Sequence, residues 1–266
     1  MDHSGLTLTN WRSRDAVGAR RLAEEVADQV GARLVAFEGA EHGGSGLHRA
    51  VIEREGAQFA LVPGGQSFVG FDVERWAPSV ELLASYREQS LEGGFAFPAD
   101  PRDLLGEVLE PRRAATLPAL LVAVESELLT TPVDQTPKAL AARGLRMPSP
   151  DEWEHACGGG VHSLWWWAPQ CPLDRSPYGY SDGPQHQPNP FGLHIAHSVY
   201  DAEVTSDTTV VKGGDGGEAV CGGYGGFVEW LPLATANRNP SMAEFIHGPG
   251  GEDMYEDFSV RPVIEL

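Results

Sequence analysis

The sequence predicts an α+β domain of short elements joined by long loops, and three observations carry that expectation. The 266 residues include 32 glycines and 20 prolines, residue types that break regular backbone and fill turns. Residues 14–30 place Val17, Leu22, Val26 and Val30 at helical intervals between charged positions, so an amphipathic helix precedes a series of short, alternating, strand-like runs. Further on, residues 149–160 read as a two-turn helix with both ends marked.

In chain order, residues 1–10 read as a loose terminus, and Gly31 closes the first helix. Residues 33–37, 48–53 and 58–62 form an antiparallel meander, with glycine-rich residues 39–46 between the first two runs and Pro63-Gly64-Gly65 as a turn. Residues 78–88 suit a helix carrying Val80, Leu83 and Ala84, residues 93–101 a loop, and residues 103–109 a helical turn. Residues 119–129 are a β-rich run with Leu121, Val122 and Val124, and residues 137–143 a short helix ending at Gly144.

The chain is organised around the next helix. Ser149 is a good N-cap, Pro150 lacks an N–H where none is needed, and Glu152 stands where a capping box requires it. Asp151, Glu152 and Glu154 suit the positive end of the helix dipole, and Gly158 to Gly160 stop the helix. Trp153, Ala156 and Cys157 share one face, expected to be the buried one. Beyond it, Trp165, Trp166 and Trp167 supply core anchors and a pocket wall. Residues 171–189 form a long polar loop of the kind that carries function.

Composition narrows the function classes. A formal charge of −19 opposes binding to nucleic-acid backbones, which need clustered Lys and Arg. No run of about 18 apolar residues and no charged-then-apolar leader is present, so the expectation is a soluble, cytoplasmic protein without membrane contact. The three cysteines, Cys157, Cys171 and Cys221, contain no Cys-x-x-Cys pair, which argues against a disulfide framework or zinc knuckle. Gly213-Gly214-Asp215-Gly216-Gly217 lacks the Lys-Ser/Thr of a phosphate cradle, and neither Gly-x-Ser-x-Gly nor His-Glu-x-x-His occurs.

The organising helix, with its Arg146-Met147-Pro148-Ser149 lead and Glu152-Trp153-Glu154-His155-Ala156 core, resembles the signature helix of the formylglycine-generating enzyme, or sulfatase-modifying factor, family. Three further segments resemble that family in order: Phe59-Ala60-Leu61-Val62-Pro63-Gly64-Gly65 with Val69-Gly70, Asn189-Pro190-Phe191-Gly192-Leu193, and Val260-Arg261-Pro262-Val263. The resemblance covers residues 51–266 and implies a C-type-lectin-like fold with little regular secondary structure. It makes residues 1–50 an N-terminal extension of helix and strands packed on that domain.

The resemblance also implies chemistry. Formylglycine-generating enzymes oxidise a sulfatase cysteine with copper held by two nearby cysteines; here the matching region offers Cys221 alone, with Cys157 or Cys171 as the remaining thiols. The family's calcium segment corresponds to His197-Ser198-Val199-Tyr200-Asp201-Ala202, with Glu203 next, so calcium is the implied structural ion, ahead of copper or iron. Two functions follow from different classes, and the sequence leaves catalysis open between them. One is a binding protein whose groove, formed by Trp165, Trp166, Trp167, Tyr178, Tyr180, Tyr224, Trp230 and Arg238, takes a peptide or small-molecule ligand without copper-thiolate chemistry. The other is a metal-dependent oxidase or oxygenase drawing on His186, His194, His197, Asp201 and Cys221.

Overall fold

The computed structural model describes residues 5–40, 46–167, 170–249, 251 and 253–266. Helices α1 (Leu8–Ser13) and α2 (Ala16–Gln29) lead into strands β1 (Arg33–Glu38), β2 (Arg49–Arg54), β3 (Ala57–Val62) and β4 (Gly65–Val69). Helix α3 (Val80–Ser85) runs on as a π-helical stretch over Tyr86–Leu91, followed by α4 (Pro101–Val108), β5 (Arg113–Leu117), β6 (Leu120–Ala123), β7 (Glu127–Leu128) and α5 (Thr136–Ala141). The organising helix is α6 (Pro150–Gly158). After it come β8 (Glu203–Val204), β9 (Val211–Lys212), α7 (Glu218–Gly222), α8 (Gly226–Trp230), α9 (Pro240–His247), β10 (Ser259–Val260) and β11 (Val263–Glu265).

The protein is a mixed α and β structure. Helix takes 34% and strand 20% of it, ordinary proportions for a globular domain, so the regular structure is short in its pieces rather than scarce. Between α6 and β8 the described residues contain only a 3-10 turn at Pro184–His186, which is the long loop that the Gly and Pro content foretold.

The main sheet is antiparallel throughout, in the order β1-β2-β3-β6-β11. Its central strands read as buried runs: Phe59, Ala60, Leu61 and Val62 in β3, and all four residues of β6, are inaccessible. The meander expected over residues 33–62 is present, with one register shift between Leu34 and Ala36 where β1 pairs β2, although residues 41–45 of its glycine-rich link lie outside the described residues. Residue 50 falls inside β2, and β1 and β2 belong to the same sheet as β6 and β11. A second sheet runs β7-β10-β8-β9, and β4 pairs with β5 as a separate ribbon.

Several local expectations are corrected. Of the terminus expected to be loose, residues 1–4 lie outside the described residues and the rest is anchored: Thr7 caps α1, Gly64 exchanges backbone bonds with Leu6 and Leu8, and Trp11 is fully buried with its indole N–H on His48 O at 3.0 Å. Pro63-Gly64-Gly65 is thus a pairing site rather than a free turn. In α2 the buried stripe is Ala19, Ala23, Val26 and Ala27, while Val17 is 80% exposed. Small residues let the helix approach β1 and β2 closely, so the larger apolar residues are left at its flanks. In α3 the core residues are Leu82 and then Tyr86, and Val80 is 78% exposed.

Candidate functional site

Helix α6 is buried on all sides. Its capping box forms in both directions, with Glu152 N–H on Ser149 Oγ at 3.2 Å and Ser149 N–H on Glu152 Oε2 at 2.8 Å. Left-handed Gly159 (φ 59°) ends it. The face expected to be polar is inaccessible too, because each polar side chain there has a partner. Glu154 accepts the backbone N–H of Gly70 and lies 3.4 Å from Lys212 Nζ, and both side chains are buried. Burial raises the Glu154 carboxyl above the usual range, against the pull of Lys212. His155 meets Pro63 O at 2.8 Å, and burial lowers its pKa so that it packs neutral. Trp153 donates its indole N–H to Glu203 at 2.6 Å; Glu203 in turn accepts from fully buried Arg261 at 2.6 and 3.0 Å. Asn189 donates to Ala156 O and Cys157 O at the end of α6 and accepts from Phe191 and Leu193 N–H.

The contact from Glu154 to Gly70 sets the edge of a cleft. Gly70 (φ 80°) leaves β4 where any Cβ would strike Pro111 O, 2.2 Å away, and the chain then runs through Phe71, Asp72 and Trp76 to α3 as one wall. His162, Ser163 and Leu164, with Gln170, Cys171 and Leu173 further along the chain, form the facing wall, and Arg112 enters just before β5. The enclosed volume is about 770 Å³, within the range of small-ligand sites. Trp76 is stacked on core residue Phe227 at 5.7 Å, and Arg102 holds its carbonyl at 3.1 Å, so this apolar wall is rigidly backed. Leu82 and Leu173 add apolar surface, and Ser79, Ser163 and Gln170 polar groups.

The charged groups of the cleft are Asp72, Arg75, Glu81 and Arg112. Asp72 lies 3.5 Å from Arg75 and 3.8 Å from Arg112. Arg112 rests on the Phe68 ring at 4.2 Å, and its Nε is shielded from solvent without a hydrogen-bond acceptor among the described residues. Burial lowers the pKa of His162, helped by Arg112 and Arg12, so at neutral pH its imidazole is a neutral donor and acceptor. Burial pushes the Cys171 thiol far up, assisted by Glu229. Cys171 therefore stays protonated and serves as a wall atom, not as a nucleophile. The cleft is equipped to hold and orient a ligand.

The residues expected to line a groove occupy other places. Trp165 and Trp230 are fully buried, Trp166 nearly so, and Trp167 stacks on Trp165 at 6.0 Å. Trp165 donates its indole N–H to Trp230 O at 2.9 Å, and Trp166 to Ile195 O at 3.3 Å. Trp165, Trp166 and Trp230 are core, and Trp167 is partly buried against them: the long loop has few regular hydrogen bonds, and the buried indoles supply its packing and its polar anchors together. Residues 168–169, which follow Trp167, lie outside the described residues. Tyr180 packs on Trp230 under Arg175. Tyr224 packs on Phe95 and Phe97, and Arg238 pairs with Glu110 at 3.6 Å. Tyr178 is 63% exposed and meets Tyr200, whose hydroxyl lies 3.5 Å from the exposed Cys221 Sγ.

The expected metal set also separates. His194 is 2.5 Å from Glu125, His197 is 3.6 Å from Asp201, and the His186 ring stands 6.3 Å from that of His197. Among the described residues no three His, Cys, Asp or Glu side chains come together as a metal ion needs. The calcium reading fails on the donors. Both Glu203 oxygens are engaged by Arg261 and Trp153, the Ser198 hydroxyl accepts Tyr200 N–H, and Asp201 faces His197, whereas calcium takes about 6–8 free oxygens. Copper fits no better. Cys157 is inside α6 with its thiol pushed well up by burial, Cys171 is in the cleft wall, and Cys221 is beside Tyr200.

The cleft residues carry no pattern in the sequence, because they come from four separate stretches. One signal was available: Arg112-Arg113, adjacent cations flanking a strand in a chain of charge −19. Among the described residues no helix is long and apolar enough to cross a membrane. Comparison with protein-family models returns no match, and neither does comparison with curated proteins.

Proposed function

We propose that this protein is a ligand-binding member of the formylglycine-generating enzyme fold family, one that holds a peptide end or small molecule in the cleft between residues 70–82 on one side and residues 162–164 and 170–173 on the other, in place of copper-thiolate oxidation. The observation that carries the binding role is the cleft itself: about 770 Å³, walled by Trp76, Leu82 and Leu173 on a rigid core, with Arg112 incompletely paired at its side. The family reading draws support from the way its four quoted segments meet at one helix. Pro63 O faces His155, Asn189 holds the carbonyls at the end of α6, and Arg261 secures the glutamate that holds Trp153.

Ala77 is exposed and lines the cleft, so a large side chain there fills it without entering the core. A fragment screen by ligand-observed NMR is expected to give hits on the wild type that Ala77→Trp loses, with the thermal midpoint unchanged. Hits that bind Ala77→Trp as strongly as wild type place the ligand elsewhere and refute the assignment.

A further inference from the structure

We infer that the cleft selects ligands bearing a carboxylate on an apolar body, with the guanidinium of Arg112 receiving the carboxylate. This inference rests on the reading of the cleft as the ligand site. The cation is held but under-used. Its Nη1 lies 3.8 Å from Asp72 Oδ2, beyond hydrogen-bonding distance, and its Nε–H, shielded from solvent, meets no acceptor among the described residues.

Asp72 is committed elsewhere, since it caps the 3-10 turn through Arg75 N–H at 3.3 Å and pairs with Arg75 Nε at 3.5 Å. Arg112 Cζ lies 4.2 Å from the Phe68 ring centroid, a cation–π contact that holds the guanidinium; with Nε shielded and the side chain 28% exposed, the Nη1–Nη2 end is the donor edge a ligand can reach. A carboxylate matches that edge, because two parallel N–H donors meet two oxygens in one plane. Next to it, Trp76, Leu82 and Leu173 offer apolar wall for the rest of such a ligand. The opposing carboxylate on the rim, Glu81, is exposed to solvent, where water and salt screen its repulsion. Neutral His162 lies beside Arg112 as a further donor or acceptor.

The acid can be a free small molecule or the C-terminus of a peptide, and paired probes separate these sources. Phenylacetate and phenylacetamide represent the first, N-acetylphenylalanine and its amide the second. Saturation-transfer titrations on the full chain are expected to show each acid binding more tightly than its amide. Arg112→Gln should weaken the acids by about ten-fold or more, the loss expected of one charge-assisted hydrogen bond, and leave the amides unchanged. Stronger binding of N-acetylphenylalanine than of phenylacetate assigns the peptide source, and the reverse order the small acid. Amides that match the acids on wild type, and are lost in Ala77→Trp, overturn the carboxylate inference while the cleft stands. Acids that bind Arg112→Gln unchanged overturn it as well. Absence of saturable binding by all four probes counts against both. The wild-type comparison of acid with amide requires no variant and so survives any folding defect of Arg112→Gln.

Discussion

Lys212 shows how a single side chain ties the core to the cleft. Its ammonium is fully buried, and its partner Glu154 also holds the backbone N–H of Gly70. Removing one member of such a pair leaves the other charge uncompensated, so Lys212→Met is expected to cost about 3–5 kcal/mol in a denaturant titration. Adding Glu154→Gln to Lys212→Met should recover most of that loss, because a neutral amide no longer needs the cation. A single-variant loss below about 1 kcal/mol would show that the buried pair is not what holds this corner. None of this was legible in the residues themselves. Glu154 reads as a dipole-favoured surface acid and Lys212 as an ordinary strand cation, and only the fold brings them within 3.4 Å.

At the scale of elements, α6 was the most legible part. Its cap, its capping box and its glycine stop are short-range signals, and all three are present. Its buried face was legible only in part, since Glu152, Glu154 and His155 are inaccessible through long-range partners. Helices α2 and α3 misled in part because apolar size stood in for contact: Val17 and Val80 are exposed, while Ala19, Ala23 and Ala27 pack beside the expected Val26, and Leu82 and Tyr86 carry the face of α3. The α6 cap also predicts an acid response. Burial works to raise Glu152, but bidentate hydrogen bonds from Arg146 at 2.8 Å and the Ser149 N–H outweigh it, and its pKa is lowered. A carboxyl with a lower pKa in the folded state contributes stability above its unfolded value of 4.5 and loses it as pH falls through the folded value. The stability gap between wild type and Glu152→Gln should therefore be full at neutral pH and close as pH drops below 4.5. A gap that is constant across that range would contradict the Arg146–Glu152 pairing as its source.

Across the whole molecule, the α+β class and the early meander followed from local pattern, because alternation and turn residues specify antiparallel neighbours directly. The way β6 and β11 complete the first sheet did not, since these strands lie about 60 and 200 residues beyond β3 and no local rule links them. The site shows the same division. Trp165, Trp166 and Trp230 looked like a groove and are core, while the cleft is built from Asp72, Trp76, Arg112, His162 and Leu173, which gain meaning only once α6 and β4 are joined through Glu154. The central claim is that this cleft, and not the exposed Tyr178–Tyr200–Cys221 surface, is where the molecule meets its ligand. The most direct measurement is a crystal structure of the wild-type protein soaked with phenylacetate. Ligand density is expected in the cleft, with the carboxylate on Arg112 and the ring against Trp76; density beside Tyr178 and Cys221 with the cleft empty would overturn the assignment.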